Sequence, residues 1–387
     1  MRIVVHKYGG SSLSTLDNIK RVARKVVARK RAGFQVAVVV SAMGDTTDNL
    51  LQMARAASSN PAGRELDMLL TTGEQVSMSL LSLAISEAGE QAVSLTGGQA
   101  GLLTTEAHNR ATITQIHPRR VLAELRRDRI VVVAGFQGLS TRGEVTTLGR
   151  GGSDTSAVAL AAALKAQRCE IYSDVDGVYS SDPRTVPAAR RLAEIGYDEM
   201  QELARYGACV LNQEAVEFAQ RGDLPICALS TFTEGDGTLV CRRRPQPGRV
   251  VGVAGRDDLL QVRYSRPEQR ELIRDLFGRD AIVYEQPWQM VASCENVANP
   301  AELRRQLSTE IEGCKIAGVG AVALVGQGLL HHRESLEGAR RALSEAGIKP
   351  LDVHSGPLSI AHLVEPGEVK ATVACLHDRF FPSEVLV

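Results

Sequence analysis

A chain of 387 residues is too long for one ordinary hydrophobic core, so two or three domains are expected. Its 44% hydrophobic and 23% charged residues are those of a globular protein, and 45 basic against 45 acidic side chains leave no net charge, which argues against nucleic acid or an anionic membrane as a principal partner. Seven cysteines without a CxxC pair suit a reducing cytoplasm and argue against a structural zinc site; no apolar run is expected to reach transmembrane length, and Met1-Arg2-Ile3 passes straight into a strand pattern rather than a signal peptide.

In chain order, Ile3 to Lys7 reads as a buried strand that ends in Lys7-Tyr8-Gly9-Gly10-Ser11-Ser12, and Thr15 to Arg31 has helical periodicity. A strand, a glycine turn and a helix place backbone N–H groups where phosphates can sit, and Lys7 points a cation at the same space. The lysine precedes the glycines, so this is not a Walker A loop. Gln35 to Val40 is an apolar strand running into Ser41-Ala42-Met43-Gly44-Asp45-Thr46-Thr47, and Arg64 to Gly89 is one long helix containing Thr71-Thr72-Gly73-Glu74-Gln75. Gln91 to Thr96 reads as a strand, Pro118 to Arg127 as a helix and Ile130 to Gly135 as a continuous apolar strand.

Thr146 to Ala157 is the stretch around which the chain is organised. Gly149, Gly151 and Gly152 surround Arg150, Ser153 and Asp154 follow, and the small-residue run Thr155 to Leu164 reads as a buried helix. Glycines admit a ligand close to the backbone, the helix N-terminus favours an anion, and Arg150 is a planar fork suited to a carboxylate or a phosphate. Asp154, in the first turn, either caps the helix or holds a metal or a lysine. The strand Arg168 to Ser173 then ends in a long loop from Ser173 to Arg184, at the edge of an open α/β sheet where ligands bind. Tyr197 to Tyr206 and Asn212 to Gln220 read as helices and Leu224 to Leu229 as a last strand. Alternation throughout this half predicts a mostly parallel sheet covered on both faces.

Pro245-Gln246-Pro247-Gly248 reads as a linker. Beyond it Leu259 to Ser265, Pro267 to Phe277, Ala281 to Gln286, Gln289 to Cys294 and Pro300 to Leu307 form a βαββα order that recurs from Cys314 to His377, about 60 residues each time. The expected division is residues 1–244, a linker 245–250, and small α+β repeats over 251–312 and 313–387.

With KYGGSS, SAMGDTTDNL, TTGEQVS, GFQG, TTLGRGGSDT and SDVDGVYSSDPR in this order, the chain resembles the aspartate kinases of the amino-acid kinase superfamily, with C-terminal repeats that resemble a pair of ACT domains. The resemblance implies a three-layer α/β kinase domain followed by two ferredoxin-like repeats. It implies transfer of the ATP γ-phosphoryl group, with Mg²⁺, to the β-carboxylate of L-aspartate. Carried over by motif, Lys7 and Asp154 are implied in catalysis, and Arg205 is added to them as the candidate substitute for a family lysine. Lys7, Tyr8, Gly9, Gly10, Ser41, Ser153, Ser173, Asp174, Tyr179, Ser180, Ser181, Asp182, Pro183, Arg184 and Cys209 are implied at the nucleotide. Asp45, Thr46, Thr47, Glu74, Arg150, Gly151, Gly152 and Ser153 are implied at aspartate. Glu74 would pair with the substrate ammonium, and Asp154 would organise the cations rather than act as a base. A homodimer or higher homo-oligomer through the repeats, in the cytoplasm, completes the implied picture, with no nucleic-acid or membrane partner.

Two departures matter. Cys209 stands where the family usually has a nucleotide-contacting lysine, and no lysine lies between Lys165 and Lys315, so Arg205, one helical turn earlier, is the candidate substitute. Ser265-Arg266-Pro267-Glu268-Gln269 lacks the glycine of the family's first ACT loop, so feedback inhibition by lysine or threonine is expected to be weak or absent. A nucleotide- or aspartate-binding paralogue with little turnover is the alternative that Cys209 favours. A kinase acting on another acid is the third, and Glu74 speaks against it for an N-acylated substrate.

Overall fold

A computed structural model describes the chain apart from residues 60, 150, 209, 245, 279–280, 295–299 and 383–387. Its residues fall into two units: Met1–Val178 with Leu192–Gln201 and Val210–Arg243, and Tyr179–Arg191 with Glu202–Cys209 and Arg244–Val387.

In the first unit β1 (Ile3–Tyr8), α1 (Leu16–Arg31), β2 (Gln35–Val40), α2 (Thr46–Ala57) and α3 (Arg64–Glu87) are followed by β3 (Ala92–Leu95), α4 (Gly97–Ala100), β4 (Leu102–Thr104) and β5 (Ile113–Ile116). Next come α5 (Arg119–Arg126), β6 (Ile130–Ala134), β7 (Gln137–Ser140), β8 (Val145–Thr147), α6 (Gly152–Ala163) and β9 (Cys169–Ser173). β10 (Glu194–Gly196), the start of α7 (Tyr197–Arg205), α8 (Gln213–Gly222), β11 (Ile226–Ser230) and β12 (Thr238–Cys241) complete it.

The main sheet runs β10-β12-β11-β9-β1-β2-β6-β3, parallel except between β11 and β12. Strand alternation divides its residues between two faces. Val4, Tyr8, Val36, Val38, Val40, Ile130 and Val132 pack with Ile19, Val22 and Val26 of α1 and Leu81 and Ile85 of α3. The alternate residues of β1 and β2 turn to the face where α6 packs. His6 therefore faces α1. There it meets the buried Glu170, whose carboxylate also takes bonds from Arg29, Arg168 and Tyr172. Burial alone would raise that carboxyl; the bond and charge of His6, with Arg29 and Arg168, hold it far below the carboxylate range instead.

Two features differ from the sequence reading. β11 is not the last strand: β12 returns antiparallel to it after a turn in which Gly237 has φ 67°, with the Ala228 carbonyl oxygen 2.1 Å from where a Cβ would stand. A small second sheet, β5-β4-β7-β8, has strands of three or four residues, too short for periodicity to reveal. In addition, α3 is long and apolar enough by length and composition to cross a membrane, contrary to the sequence expectation. It is nonetheless the core helix of this unit, with Leu70, Met78, Leu81 and Ile85 buried.

The second unit repeats one pattern. β13 (Gly252–Arg263), α9 (Gln269–Phe277), β14 (Ile282–Gln286), β15 (Gln289–Ser293) and α10 (Pro300–Glu310) form the first βαββα. β16 (Lys315–Val325), α11 (Arg333–Glu345), β17 (Asp352–Ser355), β18 (Ser359–Val364) and α12 (Val369–Phe380) form the second. The strands make one antiparallel sheet, β14-β15-β13-β16-β18-β17. β13 starts seven residues before the expected Leu259 because a bulge between Arg256 and Leu259 lets it serve both cores. Val253 packs with Val322, Leu324 and Leu376, whereas Leu260 and Val262 pack with Ile273, Phe277 and Leu307. Segment 179–191 joins this unit through Val186 in the second core and through the Val253 N–H, which donates to the Ser180 carbonyl (2.7 Å).

Leu81 is fully buried between α3 and the sheet. Leu81→Ala is expected to cost the first unit about 3 kcal/mol, measured by urea unfolding.

Candidate active site

Parallel register brings five strand ends to one edge of the first unit. Tyr8 stands opposite Val40 and Tyr172, Val40 opposite Ala134, and Ser173 opposite Ser230. The chain leaves β1 towards β2 on one side, while β9 and β11 lie on the other, so β1 marks a change in winding direction, the place where ligands bind in open α/β sheets.

Lys7 is the penultimate residue of β1 and turns to the α6 face. Its Nζ lies 2.7 Å from Asp154 Oδ1, with the two side chains 12% and 13% exposed. Of the roles the sequence left open for Asp154, it holds the lysine. It does not cap the helix, because the N-cap is Gly151, at φ 77° and without a side-chain cap. A Cβ on Gly151 would lie 2.2 Å from Asn212 Nδ2, so only glycine fits. Asn212, whose Oδ1 accepts the Ala215 N–H at the start of α8, is a site neighbour that the sequence reading did not pick out; an Asn before a helix is the signal.

The two glycines after β1 divide their work. The Gly9 N–H donates to the Tyr172 carbonyl (3.3 Å), which corrects its expected role as a free donor and leaves Gly10 as the candidate. The Gly10 carbonyl accepts the Gly44 N–H (3.0 Å), binding the loop after β1 to the loop after β2. Tyr8 is also corrected as a ligand contact. Its ring is fully buried and stacked on Tyr172 at 4.8 Å, so only its backbone reaches the edge, where its carbonyl takes the Ser41 N–H (3.1 Å).

Gly73 and Glu74 act together in α3. A Cβ on Gly73 would stand 2.8 Å from Ala42 Cβ, so glycine lets the loop after β2 lie against the helix. The Ala42 N–H then donates to Glu74 Oε1 (3.0 Å), while Oε2 has no partner among the described residues. Glu74 is 3% exposed, and burial, only partly offset by backbone bonds, pushes its carboxyl from 4.5 up to about 7. Asp45 precedes α2, Thr46 and Thr47 open it, and the Thr46 hydroxyl is tied to the Met43 carbonyl (2.6 Å). Gly152 begins α6; Ser153 is buried beside Gly135, where a Cβ would meet its Oγ at 2.9 Å. Ser173 ends β9, with its Oγ accepting the Val175 N–H (3.2 Å), and Asp174 is exposed.

The other residues named from the sequence belong to the second unit or lie outside the described residues. Tyr179, Ser180, Ser181, Asp182, Pro183 and Arg184 belong to the second unit. Ser180 is buried there, its Oγ 2.9 Å from His377 Nε2 and accepting the Arg190 N–H, whereas Asp182 and Arg184 form an exposed pair. Arg205, in the same unit, pairs with Glu202 (3.1 Å). Arg150 and Cys209 lie outside the described residues.

Residues 2–229 match the model of the amino acid kinase family. The aspartokinase of Geobacillus stearothermophilus is 39% identical over 396 residues, spanning 98% of this chain and 97% of that one. The chain belongs to the aspartokinases of the amino acid kinase family. The aspartokinase of Mycolicibacterium smegmatis is 40% identical, over 98% of this chain and 96% of its own. Among solved structures, E. coli aspartokinase III in complex with aspartate and ADP superposes with a TM-score of 0.83 at 25% identity, covering 98% of this chain and all of that one. The α/β kinase fold followed by two ACT-like repeats is thus matched along nearly the whole chain by an aspartokinase structure.

Glu74 also sets a pH dependence. Its carboxyl is raised on folding, so its contribution to stability is complete below about pH 4.5 and is lost as pH rises through about 7. Glu74→Gln is therefore expected to match the parent near pH 4.5 and to exceed it by about 3 kcal/mol at pH 8. Urea unfolding of the ligand-free protein at the two pH values measures the difference.

Proposed function

We propose that the protein transfers the γ-phosphoryl group of ATP to the β-carboxylate of L-aspartate, giving 4-phospho-L-aspartate, with weakened feedback control. The observation that carries the substrate assignment is Glu74, a buried carboxylate with one oxygen bonded and one left over. A substrate ammonium supplies the missing partner, and an N-acylated acid does not. Arg150 is assigned by motif to a substrate carboxylate, for which its bidentate fork is suited, and Thr47, Gly151, Gly152 and Ser153 are assigned to aspartate with it.

The attacking carboxylate is already ionised at neutral pH, so no general base is required. Transfer then rests on positioning and charge neutralisation. Lys7, fixed by Asp154 at 2.7 Å, presents its ammonium to the transferring phosphoryl oxygens, with the Gly10 backbone alongside. The Asp154 carboxylate near Lys7 is paired with it. Mg²⁺ would enter as the ion that accompanies the ATP phosphates, where it would neutralise charge. The nucleotide is assigned to Ser41, Ser173, Asp174 and the 179–184 segment by motif, with Arg205 taking over the charge of the family lysine that Cys209 replaces.

Weak regulation is supported by the first repeat. Gln269 Oε1 accepts the N–H groups of Ser265 (3.1 Å) and Arg266 (3.0 Å), and its Nε2 donates to the Glu312 carbonyl (2.9 Å). The loop's own side chain thus occupies donors that an effector would need. The sheet edges β14 and β17 offer pairing positions to a second copy, consistent with a homo-oligomer built through the repeats in the cytoplasm.

ATP- and aspartate-dependent hydroxamate formation, with Mg²⁺ and hydroxylamine as trap, tests the activity. Turnover is expected in the parent, and Arg205→Ala is expected to lower it by about tenfold to a hundredfold. Turnover seen only in Cys209→Lys would replace this reading with that of a binding paralogue. Lysine and threonine, titrated singly and together, are expected to leave the rate unchanged at millimolar concentration. The aspartate KM is expected to fall as pH rises from 6 to 8, as Glu74 ionises.

A further inference from the structure

Asp67 is fully buried on α3, seven residues before Glu74, which is about two helical turns and so the same face. Its carboxylate is saturated. Oδ1 accepts the Thr147 hydroxyl and Asn109 Nδ2 (2.7 Å), Oδ2 lies 2.6 Å from His108 Nδ1, and the Asn109 N–H reaches both oxygens (3.1 and 3.2 Å). Asn109 is held at φ 66°, and its Oδ1 takes the Gly63 N–H (2.8 Å) just ahead of α3. None of these groups stands among those assigned to the chemistry.

The geometry of the other end gives the cluster its meaning. Thr147 is the last residue of β8, two before Gly149 of the glycine loop, and is itself buried. Its carbonyl takes the Ala111 N–H (3.0 Å), and Thr146 Oγ1 lies 2.6 Å from Thr104 Oγ1. Gln137, opposite Thr147 in the small sheet, donates its Nε2–H to the Thr71 carbonyl of α3 (3.1 Å). The exit of β8 is bolted to the helix that carries Glu74.

We infer that Asp67, acting through Thr147, is a positioning residue that sets the separation between Glu74 and the glycine loop, the two elements that hold opposite ends of aspartate. The inference rests on the aspartate-site reading above. A displacement of about an ångström between two such anchors is enough to lose productive binding, whereas the Lys7–Asp154 pair and the phosphate side depend on β1 and α6 and are left in place.

Titration calorimetry of L-aspartate and of ATP, on the full chain, tests it with Thr147→Val, Thr147→Ser, Asp67→Asn and Glu74→Gln. Thr147→Val is expected to weaken aspartate binding about tenfold, the effect of one charge-assisted hydrogen bond, with ATP binding within about twofold of the parent. Thr147→Ser, which keeps the hydroxyl, is expected to restore aspartate affinity, and Asp67→Asn to follow Thr147→Val. Unchanged aspartate affinity in Thr147→Val, equal losses for aspartate and ATP, or failure of serine to restore binding overturns the inference. If Asp67→Asn does not fold, the two Thr147 variants decide alone. Glu74→Gln separates the levels: if it leaves aspartate affinity unchanged the site reading itself falls, and if it weakens binding while Thr147→Val does not, only the positioning role falls.

Discussion

The pairing of β1 with β2 on one side and β9 on the other is the constraint on which the first unit depends. Because the pairing is parallel and in step, Tyr8, Val40 and Tyr172 end at one level, and every following loop opens on the same edge. Strand alternation does the rest: His6 and Tyr8 go to the α1 face and become core, and Lys7, between them, goes to the α6 face and meets Asp154. A slip of one residue would exchange the two faces, burying the site cation among the valines and sending the tyrosine to the ligand edge. Function at this edge is thus a consequence of register before it is a property of any one side chain.

Three buried carboxylates show how one unit uses the same group in different ways. Glu170 is surrounded by Arg29, Arg168 and His6 and stays charged at no site of chemistry. Asp67 is saturated by neutral donors and His108 and serves as a clamp. Glu74 takes the Ala42 N–H on one oxygen, and its burial is only partly offset by backbone bonds, so that its carboxyl moves up to about 7. Native structures satisfy buried charge, so a carboxylate left half satisfied marks where a partner from outside belongs. The same comparison explains why a glycine stands at position 73. A side chain there would push away the Ala42 N–H, which donates to Glu74.

Much of this was legible in the sequence, and the reasons differ by element. Ile3 to Lys7, Gln35 to Val40 and Ile130 to Gly135 are continuous apolar runs bounded by glycine or serine, and they became the central strands because a strand covered on both faces has no polar side. The glycine loop before α6 was readable because its conformation demands glycine at position 151. What could not be read was contact at a distance. Nothing local says that the Gly9 N–H is taken by Tyr172, that Asn212 lies beneath Gly151, or that Thr147 reaches Asp67 eighty residues earlier. Tyr8 misled for the same reason, since an aromatic beside two glycines looks like a ligand contact until alternation assigns its ring to the core.

The repeats carry the same lesson into the second unit. A βαββα pattern used twice predicts two small domains, each with a core of its own. Yet β13 runs through both, giving Val253 to one core and Leu260 and Val262 to the other across the bulge at Arg256. A ligand that reshaped the first loop, at Ser265, would act on the end of a strand whose beginning is built into the second core. Gln269 holds that loop closed from within, bonding two of its N–H groups and reaching back to Glu312. In such a sheet an effector site could be lost without loss of the repeat: a side chain that satisfies the loop's donors, as Gln269 does, leaves the shared strand intact.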